Sequence, residues 1–244
     1  MHASVTFMCG RYATTKGAPD LTAIFDAYDD TRDGLTVDYN VAPTDPVPVV
    51  RMSRSLGGRV LCVARWGLVP SWAGDTRGAA RMINARAETV ATTKAYARAF
   101  ATRRCLVPAD GWYEWVRTPG GGRQAYFMTS PEPVVFGGLW SVWGTEKLVT
   151  CSIVTMAALG DLALVHHRMP LVLAPDRWSA WLAGGGEPDE ILAPPDDVTL
   201  AGIEIRPVGP AVGDVRNDGP ALVERVPAPP LGAPPEEPVA LTLF

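Results

Sequence analysis

The chain predicts a strand-rich, mixed α+β fold, and three observations carry that expectation. With 244 residues, 47% hydrophobic and 20% charged, it is long enough to bury the core of one globular domain. Its 23 prolines and 24 glycines, in a chain with 8 tryptophans, cut it into short segments that favour strands and turns over a helix bundle. Between those breaks, strand-like runs outnumber helix-like ones.

In chain order, PDLTAIFDAYDD (19–30) predicts a helix with Asp20 as N-cap and Leu21, Ile24, Phe25 and Tyr28 on one face. VPVVRM and RVLCVARWGL predict strands joined across the turn SRSLGG. TTKAYARAF predicts a second helix leading into RRCLVPADGWYEWVR, where a strand is expected around Trp112 to Val116. TPGGGR is a turn, and QAYFMT, PVVFGGLW and LVTCSIVT predict further strands. PDRWSAWLAG, opening on proline and closing on glycine, predicts a third helix.

Composition also narrows function. The four cysteines Cys9, Cys62, Cys105 and Cys151 stand far apart with no C-x-x-C pair, which argues against a zinc site or a disulfide framework and fits a reducing compartment. No apolar run reaches spanning length, and MHASVTF has neither the basic start nor the apolar core of a signal peptide. The expectation is a cytoplasmic, nucleoid-associated protein, monomeric, without membrane contact, metal or organic cofactor. The formal net charge of −4 hides a strong asymmetry. Every charged residue from Arg51 to Arg104 is basic except Asp75 and Glu88, whereas acids dominate after Pro175. A basic middle with an acidic end suits phosphate binding on one face, and a solvated surface equally well.

Four short stretches carry chemistry. MCGRYA sets Cys9 directly after Met8; a cysteine with a free α-amine holds two nucleophiles that can attack one aldehyde. RMINARAETV puts Asn84, Arg86 and Glu88 at alternate positions, so an extended segment turns all three to one side, as a site or as a surface ladder. GWYEW sets Glu114 among aromatics, where burial raises a carboxyl pKa and suits it to proton transfer; a glutamate pointing to solvent from an edge strand fits the same letters. LVHHRMPLVL offers His166 and His167 before Arg168. Histidine titrates near working pH and arginine grips phosphate in two-pronged fashion, although loop histidines are commonly structural.

Taken in order, MCGRYA, NVAPT, ARWGLVPSWA, MINARAETV, RRCLVPADGWYEW, GGLW, TCSIVTMAA, HHRMPLVL and VRNDGPALVE resemble the successive blocks of the SOS-response-associated peptidase (SRAP) family. The resemblance runs from Cys9 to about Val226. It implies one domain over 9–226, an extension or mis-assigned start at 1–8 that is removed, and a proline-rich tail at 227–244. It further implies a β-rich core of two antiparallel sheets forming a partly open barrel with flanking helices. The implied function, in DNA repair and the SOS response, is an abasic-site sensor. Such a sensor captures the lesion in single-stranded DNA as a covalent thiazolidine through its N-terminal cysteine.

By the same resemblance Cys9 is the nucleophile, Asn84 holds the sugar and the ring, Glu114 moves protons, and His166 aids ring opening and contacts the adjacent phosphate. Arg11, Arg86 and Arg168 resemble the phosphate-gripping arginines, and Trp66, Trp72 and Trp115 the tryptophans set against exposed bases. His167 falls at a variable position. Two other classes compete: a thiol peptidase or autopeptidase using Cys9 and His166, and a non-covalent reader of damaged or modified DNA that needs no free amine.

Overall fold

In the computed structural model, residues 9–118, 121–228 and 231–232 are described. The extension at 1–8 and the tail beyond 232 lie outside them. The strands are β1 (Tyr12–Thr14), β2 (Ala27–Asp30), β3 (Asp38–Val41), β4 (Pro46–Ser53), β5 (Gly58–Trp66), β6 (Asn84–Arg86), β7 (Arg104–Arg117), β8 (Arg123–Trp143), β9 (Leu148–Ala157), β10 (Arg168–Pro170) and β11 (Glu204–Val208). The helices are α1 (Ala18–Phe25), α2 (Ala97–Thr102), α3 (Trp178–Ala183), α4 (Pro188–Ile191) and α5 (Asp197–Ala201). No helix among the described residues is long and apolar enough to cross a membrane.

All described strands join one sheet in the order β11-β8-β9-β5-β4-β7-β1-β3, with β2 added to β5, and β6 and β10 added to β9. Because β7 also pairs with β8, the strands β8, β9, β5, β4 and β7 close into a ring. Two of its seams are held by two residue pairs each, β5–β9 at Arg65↔Thr150 and Trp66↔Cys151 and β4–β7 at Val50↔Leu106 and Arg51↔Cys105. The expected pair of antiparallel sheets is thereby corrected: there is a single mixed sheet, with β2–β5, β5–β9 and β6–β9 parallel. The long β8 makes this possible by running through QAYFMT and PVVFGGLW without a break, so that one strand serves both halves.

The ring interior is apolar: Val47, Val49, Ala64, Trp66, Phe136 and Ile153 are buried in one cluster with Tyr12. On the outer face, α1 and α3 bury Leu21, Phe25, Trp178 and Trp181 against Val50, Leu61 and Val154. The first helix differs from expectation at both ends. Its cap is Gly17, with Pro19 and Asp20 already in the first turn, and it stops at Phe25, where Asp26 takes a left-handed conformation (φ 47°). Proline fits the first helical turn because the amide it lacks has no intrahelical partner there. The second helix is shorter than expected, beginning at Ala97 after turns in which Thr93 N–H donates to Thr89 O at 2.9 Å and Tyr96 N–H to Thr93 O at 2.8 Å.

One irregularity decides which way β7 faces. Its register with β8 shifts between Ala109 and Gly111. Before the shift Cys105, Val107 and Ala109 face the ring interior; after it Trp112 does so, with Val116 packed against the same cluster. A bulge that slips alternation by one residue turns every later side chain to the other face. Glu114 therefore faces inward, and Tyr113 joins the separate cluster under β11. Gly111 is required there, since a Cβ would lie 2.3 Å from Met128 O.

Candidate functional site

The site forms where β6, β7 and β10 meet the segment just before β1. Cys9 is buried, 3% exposed, and its main-chain N–H donates to Glu114 Oε1 at 2.8 Å. Its Sγ lies 3.8 Å from the carbonyl oxygen of Arg168, and its own carbonyl accepts from Asn84 Nδ2 at 3.4 Å. Three segments distant in sequence thus converge on one residue. The pairing of β1 with Trp112 and Gly111 of β7 brings Cys9 to Glu114. The parallel pairing of β6 with Ile153–Thr155 brings Asn84, and the antiparallel pairing of β10 with Thr155–Ala157 brings Arg168.

Burial governs the proton chemistry. Desolvation raises the Glu114 carboxyl to about 7, against the opposing pull of its Cys9 contacts. It also lowers the His166 imidazole, whose Nδ1 stands 3.9 Å from Glu114 Oε1. Both groups are pushed toward their neutral forms, and Glu114, raised to about 7, is placed to exchange a proton near neutral pH. A neutral His166 accepts at Nδ1 from Arg168 N–H at 3.1 Å. The Cys9 thiol is pushed well above the ordinary range, chiefly by burial and then by the nearby Glu114 charge.

The arginines and tryptophans divide by position. Arg168 reaches back over β9, donating in bidentate fashion to Glu88 and from Nη2 to Thr155 O at 2.6 Å. Arg11 donates to Asn40 Oδ1 at 2.7 Å and Val212 O at 2.9 Å, and its guanidinium carbon stands 6.0 Å from the Trp115 ring centroid. Arg86 is exposed on β6. Trp72 is 62% exposed, with Lys94 Nζ 5.2 Å from its ring. Trp66 has no exposed surface; its Nε1–H donates to Ile83 O at 3.0 Å and its ring meets Tyr12 edge-on, a packing position that offers no face to a base. His167 stacks on His166 at 4.3 Å.

Sequence reasoning missed the Arg168 carbonyl that receives the Cys9 thiol, the Thr155 carbonyl under the Arg168 fork, and Asn40, which holds Arg11 while its amide donates to Asp214 O and Asn217 O. The NVAPT and VRNDGP blocks that supply Asn40 and Asn217 were the available signal. Among the described residues, no group of three or more His, Cys, Asp or Glu side chains is arranged to hold a metal ion.

A strand ring carrying a buried cysteine and carboxyl and a partly buried imidazole at its rim is the class that the geometry defines, and comparison with known proteins agrees on the family. Residues 8–215 match the family described as SOS response associated peptidase (SRAP), and the chain belongs to it. Abasic site processing protein YoaM of Bacillus subtilis is 33% identical over 72% of this chain and 79% of its own length. Abasic site processing protein YedK of Escherichia coli is 31% identical over 90% of this chain and 100% of its own. A crystal structure of a Bacteroides thetaiotaomicron protein matches in fold with TM-score 0.77 at 21% identity, covering 89% of this chain and 100% of that one.

Proposed function

We propose that this protein, in a form that begins at Cys9, captures abasic sites in single-stranded DNA as a thiazolidine. An abasic deoxyribose opens to an aldehyde. The neutral fraction of an α-amine, whose pKa is ~8, adds to that carbon; loss of water gives an imine. The thiol then adds across the C=N bond, sulfur to carbon and proton to nitrogen, closing a five-membered ring. One water leaves in all, and trapping by sulfur prevents the imine from promoting elimination of the 3′ phosphate.

The observation that carries this reading is the Cys9 nitrogen held 2.8 Å from Glu114 Oε1, with the thiol on the same residue. Glu114 then moves protons on and off the amine and the departing water, Asn84 holds the ring, and His166 assists its opening. Arg11, Arg86 and Arg168 are assigned to phosphates, and Trp72 and Trp115 to neighbouring bases. The names carried by the relatives, abasic site processing proteins, support the substrate.

The test is intact mass before and after incubation with a single-stranded oligonucleotide carrying one abasic site. A protein mass starting at Cys9 and a heat-stable adduct lighter than the sum by one water are expected, and Cys9→Ala abolishes the adduct while leaving weak, salt-sensitive binding. An adduct at normal yield in Cys9→Ala overturns the mechanism. Binding without any adduct favours the non-covalent reader, and Cys9-dependent cleavage of unrelated peptides favours the peptidase.

A further inference from the structure

We propose that Glu88 is a positioning residue of the capture site: its carboxylate clamps Arg168 across β9 and so fixes the main chain against which the Cys9 thiol and His166 rest. The proposal builds on the reading above and adds a residue that it leaves without a role.

The topology makes the clamp specific. Thr155 of β9 pairs with Arg86 of β6 and also with Pro170 of β10, so the two short strands occupy opposite edges of β9. One edge carries Asn84, the other Arg168, and His166 lies just before it. Each short strand is only three residues long and has few ladder bonds of its own. Glu88, two residues past β6, receives Arg168 Nη1 at Oε1 and Nη2 at Oε2, while Nη2 also donates down to Thr155 O. The guanidinium thus ties both edges to each other and to the strand between them.

What the clamp holds is the main chain of Arg168. Its carbonyl lies 3.8 Å from Cys9 Sγ, and its N–H donates to His166 Nδ1. The Arg168 side chain is 11% exposed and that of Glu88 51%. An exposed ion pair contributes little to stability, but a planar fork seated on a carboxylate fixes orientation strongly. The same carboxylate fills the prong that a phosphate would use, so Glu88 also competes with the DNA backbone for Arg168.

These two roles have opposite signs, which separates positioning from simple structural support. In Glu88→Gln, binding to an undamaged single-stranded oligonucleotide is expected to tighten about threefold as the competing charge is lost. Single-turnover capture of an abasic oligonucleotide is expected to slow about tenfold as the rim loosens, with partial recovery in Glu88→Asp. The His166 imidazole nitrogen signals in NMR should shift in Glu88→Gln with the backbone fold unchanged. Unchanged capture, or binding and capture that weaken together, overturns the clamp. If the wild type forms no adduct, only the functional reading falls; an unmoved His166 signal then overturns the clamp by itself.

Discussion

The main-chain nitrogen of Cys9 and the carboxylate of Glu114 are 2.8 Å apart although the two residues stand 105 positions apart in the chain. The contact pins the segment before β1 to the second half of β7 and gives the buried Glu114 a main-chain donor. If Glu114 acts only as an acceptor, an amide replaces it well; if it carries protons, an amide fails. Glu114→Gln is therefore expected to keep the fold and non-covalent DNA binding while slowing adduct formation by about 10²- to 10⁴-fold, measured by single-turnover time courses on denaturing gels.

Glu114 also makes stability depend on pH. Its folded value is about 7 against an ordinary 4.5, so between those limits the folded state binds more protons than the unfolded one. Stability must then fall as pH rises from 4.5 to 7 and level off above, by up to about 3 kcal/mol. His166, lowered by burial from its ordinary 6.5, acts in the opposite sense, costing stability as pH drops below that value. The comparison is therefore wild type against Glu114→Gln, with residues 1–8 attached so that the Cys9 nitrogen is an amide. Urea midpoints at pH 5 and 7.5 should show the variant gaining relative stability at the higher pH; parallel pH profiles would contradict a buried, titrating Glu114.

Trp66 and Trp72 are expected to separate cleanly. Truncating the wholly enclosed Trp66 to Ala leaves a cavity in the ring and removes one of the two donors to Ile83 O, the other being Ile153 N–H, at a cost of about 3–5 kcal/mol read from the denaturant midpoint. Trp72→Ala should leave that midpoint unchanged and weaken single-strand binding by about 10- to 100-fold if the indole stacks on a base. Equal binding in the Trp72 variant removes that residue from the DNA interface.

Gly111→Ala tests the phase shift in β7. With Met128 O only 2.3 Å from the new Cβ, the bulge must move or the strands must part, at a cost of about 3 kcal/mol. Because Glu114 lies downstream of the shift, capture should fall more than in a variant of equal instability elsewhere, such as Leu182→Ala on α3. Matching losses in the two would disconnect the bulge from the site.

Much of this was legible in the residues and some was not. The hairpin of β4 and β5 followed from β-branched runs around SRSLGG, and the two strands pair antiparallel over Pro46–Ser53. Burial of Glu114, 4% exposed, was one of two readings that its aromatic neighbours allowed, a solvent-facing edge position being the other. Its inward direction was not readable, because alternation along GWYEW has no absolute phase until the bulge at Gly111 sets one. Asn84, Arg86 and Glu88 were readable as one face, but their partners belong to β10, and pairing across β9 leaves no local trace. Trp66 shows the converse limit: a tryptophan in a basic segment reads alike whether it packs or stacks, and only its closed surroundings decide.

Concealment of the Cys9 sulfur bears on how long the protein keeps its reactivity. A thiol that is 3% exposed and held in its protonated form is a poor target for peroxide or alkylating agents, which consume exposed thiolates. In the proposed capture, sulfur is needed only after an aldehyde has condensed with the adjoining nitrogen, when attack is intramolecular and a neutral thiol beside a proton acceptor suffices. On that proposal, resistance to oxidants and readiness toward the lesion come from the same burial of Cys9, and a long wait under oxidative conditions need not spend the nucleophile.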